Sequence, residues 1–190
     1  MYLLTETASP FALERWAAFF ANFGQFAKGF FYTLGISIGA LIVALLLGLI
    51  FGAMSSTHNK VLRGISRVYV EIFQNTPLLV QFVVVFYGIS ILTDGHVMIP
   101  ISLTAILCVG VYTGAYISEI IRTGIEAVPK GQTEAALSQG FTYADTMRII
   151  ILPQAVRTIL PPLTNQVVNL IKNTSTVAII SGADIMFTAK

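Results

Sequence analysis

Three stretches of this chain run the thickness of a bilayer without a charged side chain. They lie between Lys28 and Lys60 (with His58 neutral), over residues 72–93, and over residues 95–118. A helix crosses the ~30 Å hydrocarbon core with about 20 apolar residues, its backbone bonded within itself. The chain is therefore expected to be an all-α integral membrane protein. Its predicted spans cover about 30–54, 68–92 and 98–121, with a fourth over 161–180 interrupted only by Lys172. Charged residues make up 11% of the chain, against about a quarter in a soluble domain, which supports the same class. A net charge of +2 is too small for a nucleic-acid footprint, so no nucleic-acid partner is expected.

Loop charges orient the spans. The link between spans one and two carries Lys60, Arg63 and Arg67, whereas Thr93–His96 carries no Lys or Arg. The segment after span three carries Arg122, Lys130, Arg148 and Arg157. The positive-inside rule places the first link and residues 122–157 in the cytoplasm and the N-terminus outside. The chain is expected to be a single multi-pass domain, residues 1–190, in contact with lipid. Residues 1–28 lack a basic start and a small-residue cleavage site, and read as an amphipathic lead-in anchored by Trp16 and phenylalanines. Small-xxx-small pairs at Gly35/Gly39 and Gly48/Gly52 would let span one pack closely on a neighbour. Pro77 is expected to kink span two.

The polar segment at 127–153 has its own helical punctuation. Pro129 and Lys130-Gly131 lead into Gln132–Gln139, a run of good helix formers. Gly140 follows where a helix end favours a left-handed residue. Thr142-Tyr-Ala-Asp145 is a capping-box pattern, with Asp for Glu, that opens a second helix through Ile151. Pro153 is expected to close or kink that helix. The residues alone describe a capped cytoplasmic helical hairpin.

The same residues carry a resemblance. Gln132-Thr-Glu134-Ala135-Ala136, Gly140 and Ile150-x-Leu152-Pro153 match the coupling motif of ATP-binding-cassette (ABC) importer permeases at each anchor. Asn75-Thr-Pro-Leu-Leu-Val-Gln81, Tyr116–Arg122 and Asn165…Asn169…Lys172-Asn173-Thr-Ser175 resemble blocks of the polar amino-acid uptake branch, although Gln74-Asn75 replaces a frequent Arg-Gly. The resemblance covers roughly residues 30–185. It implies a type I ABC importer permease-like helical bundle in a bacterial inner membrane, working by alternating access. Four spans are visible here; the family's usual fifth, after the point where this chain ends, is expected to be missing through truncation. Glu134, Ala135, Ala136, Gly140, Leu152 and Pro153 would contact an ATPase subunit. Further implied partners are a second permease subunit, identical or paralogous, and an extracytoplasmic amino-acid-binding protein. No G-x-x-x-x-G-K-[ST] phosphate loop occurs, so no cofactor is expected in this chain and no enzymatic activity; ATP and Mg would bind the partner.

Asn165, Asn169, Lys172 and Thr176 recur at i, i+4, i+7 and i+11, one face of a helix. Counted from Pro161, Lys172 lies about 16 Å into the fourth span, near mid-membrane. An intramembrane charge is functional by default. Lys172 is expected to bind the α-carboxylate of an amino acid, with Asn165, Asn169, Asn173 and Thr176 as further substrate contacts. The competing role is a structural ion pair with Glu119. The Lys172-Asn173 pair favours acidic or neutral polar substrates such as glutamate or glutamine. No ligand-spaced partners accompany His58 or His96, so no metal site is expected, and no catalytic constellation is visible. An ATP-independent secondary carrier or channel subunit, with Lys172 as the coupling charge, is the alternative transporter reading. A membrane scaffold that recruits a partner is a third reading, and it leaves the polar stripe unexplained.

Overall fold

The computed structural model describes residues 13–180, which are helical wherever they form regular structure. Expectations for residues 1–12 and 181–190 lie outside the described residues. A short helix α1 (Leu13–Ala21) precedes α2 (Phe23–Ser55). Trp16, Phe20 and Phe23 are exposed along this lead-in. The lead-in therefore merges into α2 well before residue 28. At 1.5 Å per residue, the 33 residues of α2 extend about 50 Å, so the helix overshoots the hydrocarbon core.

The core is a parallel seam between α2 and α6 (Ile101–Glu126). Both helices are long and apolar enough to cross a membrane. Small residues from both sides let the backbones approach. A Cβ on Gly39 would lie 2.9 Å from Ile106 Cδ1, and one on Gly48 2.4 Å from Ile117 Cγ2. A Cβ on Gly52 would lie 2.8 Å from Ile121 Cβ. Gly110 and Gly114 of α6 reciprocate against Val43 and Leu47, while Ala40 and Ala44 are fully buried between them. Gly35 faces open space, so of the first predicted pair only Gly39 packs.

Predicted span two is not one helix, and the cations of the first link do not lie in a loop. Lys60, Arg63 and Arg67 belong to α3 (Lys60–Asn75), capped by Asn59, whose side chain accepts the Val61 and Leu62 N–H groups. The chain then breaks at Thr76-Pro77 and turns by 97° into α4 (Leu78–Val83), a π-helical turn at Val84–Gly88, and α5 (Ile89–Leu92). Pro77 causes more than the expected kink. Thr76 is extended, as a residue before proline must be, and Pro77 offers no N–H to Phe73. The Gln81 side chain fills that gap, its Nε2 donating to Phe73 O (3.2 Å) and Thr76 O (3.0 Å). Taken together the bent pair is apolar enough to make one broken span.

Predicted span four also differs. After α7 (Lys130–Ser138), the chain runs through α8 (Tyr143–Asp145), a π-helical turn at Thr146–Ile151, and α9 (Leu152–Asn173), ending in a 3-10 helix at Thr174–Ile180. Pro153 does not close the helix. It occupies the first turn of α9, where a missing N–H costs little. Pro161 and Pro162 lie inside α9 and do not begin a span there. The 16 Å depth counted from Pro161 therefore has no structural origin.

Candidate functional site

Two regions hold the predicted site residues: the polar segment after α6 and one face of α9. The polar segment is built by local capping. Gly140 has φ +87°, the left-handed conformation. Phe141 N donates to Ala136 O (3.2 Å) and Gly140 N to Leu137 O (3.0 Å), the paired bonds of a Schellman C-cap. Thr142 then caps α8, its Oγ1 accepting the Asp145 N–H (3.2 Å) while donating to Asp145 Oδ2 (2.5 Å). The expected reciprocal box is thus closed through the two side chains.

Beneath these caps the segment has a small core of its own. Val128, Ile151, Ala155 and Ile159 are buried together, with Ile125, Met147 and Ile150 packed against them. Ala136 is buried at 3% exposure and seals the underside of α7. Glu134, Ala135, Gly140, Leu152 and Pro153 are exposed, and Leu137, Tyr143 and Ile149 add exposed apolar surface. Five of the six predicted coupling residues thus share the solvent side, while Ala136 supports them from below. Gln154 ties the first turn of α9 to α7, its Nε2 donating to Ile150 O (2.9 Å) and Gln132 Oε1 (3.4 Å). The α2–α3 link also reaches this segment: the His58 ring meets Tyr143 edge-on at 5.1 Å. Sequence reasoning missed that contact, because no spacing rule joins residues so far apart.

On α9, Asn165, Asn169 and Lys172 are exposed, on the side away from Ile159, Leu163 and Leu170. These three form the predicted stripe. Thr176 leaves it: it lies in the 3-10 helix, where the angular step changes, and is half-buried like Asn173. Lys172 makes no ion pair among the described residues. Glu119 is engaged elsewhere. Arg122 binds Glu119 through two nitrogens, one at 3.0 Å, and reaches Glu126 at 2.5 Å. The proposed Lys172–Glu119 pair is therefore not formed. Packing explains why: Gly124 of α6 touches Ile159 of α9, so Glu119 and Lys172 sit at different levels of an antiparallel pair. Arg67 and Glu71, one helical turn apart on α3, pair at 2.8 Å.

The chain resembles known proteins along most of its length. Residues 44–189 match the family described as the binding-protein-dependent transport system inner membrane component. The probable glutamine ABC transporter permease protein GlnM of Bacillus subtilis is 41% identical over 173 residues, covering 90% of this chain and 77% of that protein. The glutamate/aspartate import permease protein GltJ of Escherichia coli K12 is 36% identical over 171 residues, covering 85% and 70%. A crystal structure of an amino acid ABC transporter with histidines superposes with TM-score 0.84 at 34% identity, covering 91% of this chain and 79% of that one. An inward-facing methionine ABC transporter, at 18% identity and TM-score 0.68, shares the fold. With its helical bundle and capped polar segment, the chain belongs to the binding-protein-dependent transport system inner membrane components, as a membrane permease subunit of an ABC importer.

Proposed function

We propose that this permease carries polar amino acids into the cytoplasm by alternating access, with glutamine- and glutamate-like substrates favoured. ATP and Mg are bound and ATP is hydrolysed by separate ATPase subunits, which dock on the exposed side of α7 and the following turn. The carrying observation is the mechanical build of that element. It is stiffened by a Schellman cap and its own core, yet continues directly into α9. A push on Glu134, Ala135 and Gly140 would move the start of α9, and with it the polar stripe.

Lys172 binds the substrate's α-carboxylate, and Asn165 and Asn169 orient the rest. The stripe faces away from this chain's own core, and a polar face in a membrane must meet water, ligand or another subunit. A second permease subunit, identical or paralogous, closes the pathway, and an extracytoplasmic binding protein delivers substrate. The N-terminus lies outside, with α3 and α7 toward the cytoplasm, as the cation distribution demands.

The test is uptake by the reconstituted importer with ATP retained and ion gradients dissipated. Uptake should persist, and its loss on dissipating the gradient alone would overturn the ATP-driven mechanism. A charge-assisted bond contributes about 1.5–3 kcal/mol, so Lys172→Ala should weaken apparent substrate affinity roughly 10- to 100-fold. Lys172→Arg should lose less. Near-normal uptake by Lys172→Ala would remove the ligand role.

A further inference from the structure

Helix α3 has three chemically distinct faces. Ser66, Tyr69 and Phe73 face the bundle: Ser66 Oγ donates to Phe51 O (2.7 Å), Tyr69 Oη donates to Val111 O (2.7 Å), and Tyr69 lies between Phe51 and Phe73. Val61, Ile65, Val68 and Ile72 recur at helical spacing and are exposed, an apolar stripe suited to hydrocarbon. Lys60, Arg63, Arg67, Glu71 and Gln74 make a third, polar face. That face lines a cleft of about 720 Å³, closed on the other side by Glu119, Arg122 and Glu126 of α6. Gln74 bridges the two walls, its Nε2 donating to Ala115 O (3.2 Å).

The cleft is charged in both signs but not fully paired. Arg67 and Arg122 have carboxylate partners, whereas Lys60 and Arg63 make no ion pair among the described residues. Glu71 and Glu126 each engage an arginine through one oxygen and keep the other available. On α3, Glu71 lies eight residues, about 12 Å, beyond Arg63. Glu126 instead shares its end of the cleft with His58, two residues before Lys60. A ligand with a carboxylate beside an ammonium group would therefore complement Lys60, Arg63 and Glu126. The cleft also adjoins the coupling element. A second cleft, of about 690 Å³, shares Ser56, His58, Ile125 and Glu126 with it and is bounded by Glu134 and Tyr143.

We propose that the cleft between α3 and the end of α6 nearest the coupling element is a second amino-acid site, distinct from the α9 stripe, that holds the zwitterion as it leaves. Arg63 and Lys60 take the carboxylate, and the free oxygen of Glu126 takes the ammonium group. This rests on the amino-acid transport proposed above. Motion of the coupling element reaches the site through His58 and Glu126, so substrate release is tied to the same stroke.

The test uses the reconstituted importer with its ATPase subunits and a Cys108→Ala permease, Cys108 being the chain's one cysteine. Gly64 lines the cleft, and a Cβ there meets nothing within 4 Å, so Gly64→Cys adds a probe without disturbing packing. A water-borne, membrane-impermeant thiol reagent should modify Gly64→Cys. Glutamine or glutamate at about ten times its dissociation constant should slow that reaction roughly tenfold, by simple occupancy. Ala127→Cys, exposed at the end of α6 and lining neither cleft, should react at the same rate with or without the amino acid. The protection at Gly64→Cys should persist when Lys172→Ala is added. Protection that vanishes with Lys172→Ala is an indirect effect of the α9 stripe and overturns the second site, as does absence of protection by glutamine, glutamate and arginine alike. Uptake measured on the same vesicles separates the two ideas. ATP-driven uptake without protection sinks the cleft alone, whereas absence of amino-acid uptake by the Cys108→Ala importer sinks the transport reading.

Discussion

The α2–α6 seam and the region where α3, α6 and the coupling element meet are held together by opposite means. In the seam, glycine and alanine bring two backbones so close that an added methyl group would overlap an isoleucine. Nothing there can shift without repacking the whole interface. At the other end, the elements keep their shape through local caps, and the α2–α3 link meets the coupling element through the edge-on contact of His58 with Tyr143. Water-accessible clefts lie between them. A transporter needs both. One part must stay fixed so that the motion of the other has something to work against.

The largest effect should come from breaking the seam. Gly48→Val would drive a branched side chain into Ile117, and overpacking costs typically about 1–3 kcal/mol. The thermal midpoint of the detergent-purified permease should fall, and an unchanged midpoint would mean that the seam is looser than its geometry. Gly140→Ala comes next, because an L-residue in the left-handed region costs roughly 1–2 kcal/mol. Its damage should appear as less substrate moved per ATP hydrolysed, with the bundle's midpoint nearly unchanged. If both fall together, the two regions are not mechanically separate.

A smaller effect is expected for the link between them. Aromatic ring pairs contribute about 0.5–1.5 kcal/mol beyond buried area, so His58→Ala and Tyr143→Ala should each reduce coupling modestly. The double variant should be little worse than either alone, and fully additive losses would deny the contact a role. Smallest of all is Arg67→Ala. Its pair with Glu71 is solvent-exposed, and pairs of that kind contribute at most about 1 kcal/mol. A stability change too small to resolve is expected by thermal unfolding, and a large one would show that α3's polar face is buried in the assembly.

Elements governed by local rules were legible from residue order. The Gly140 cap needs only a helix-forming run followed by glycine, and the Thr142 cap needs only its hydroxyl three residues before Asp145. Arg67–Glu71 follows from helical spacing. Long-range partners were not legible. Gly48 and Gly52 looked like a packing pair, but so did Gly35, and only the neighbouring helix distinguishes them. Hydropathy placed span two at residue 68 because an amphipathic helix and a spanning helix can share one uncharged window. The 97° turn depends on Pro77 acting together with the Gln81 amide that closes the gap it leaves.

Sequence alone determined that this chain lives in a membrane, that its polar middle folds as a capped element, and which family it joins. Those properties come from uncharged length, spacing and short-range hydrogen bonds, which the order of residues specifies directly. Helical spacing joins Glu119 to Arg122, while the three-dimensional structure decided that Lys172 does not reach Glu119, that a 3-10 turn takes Thr176 off the α9 stripe, and that α3 walls a charged cleft. The separation of Lys172 from Glu119 and the cleft both depend on the relative level of helices distant in sequence, which is fixed only when the small residues of the bundle find their partners.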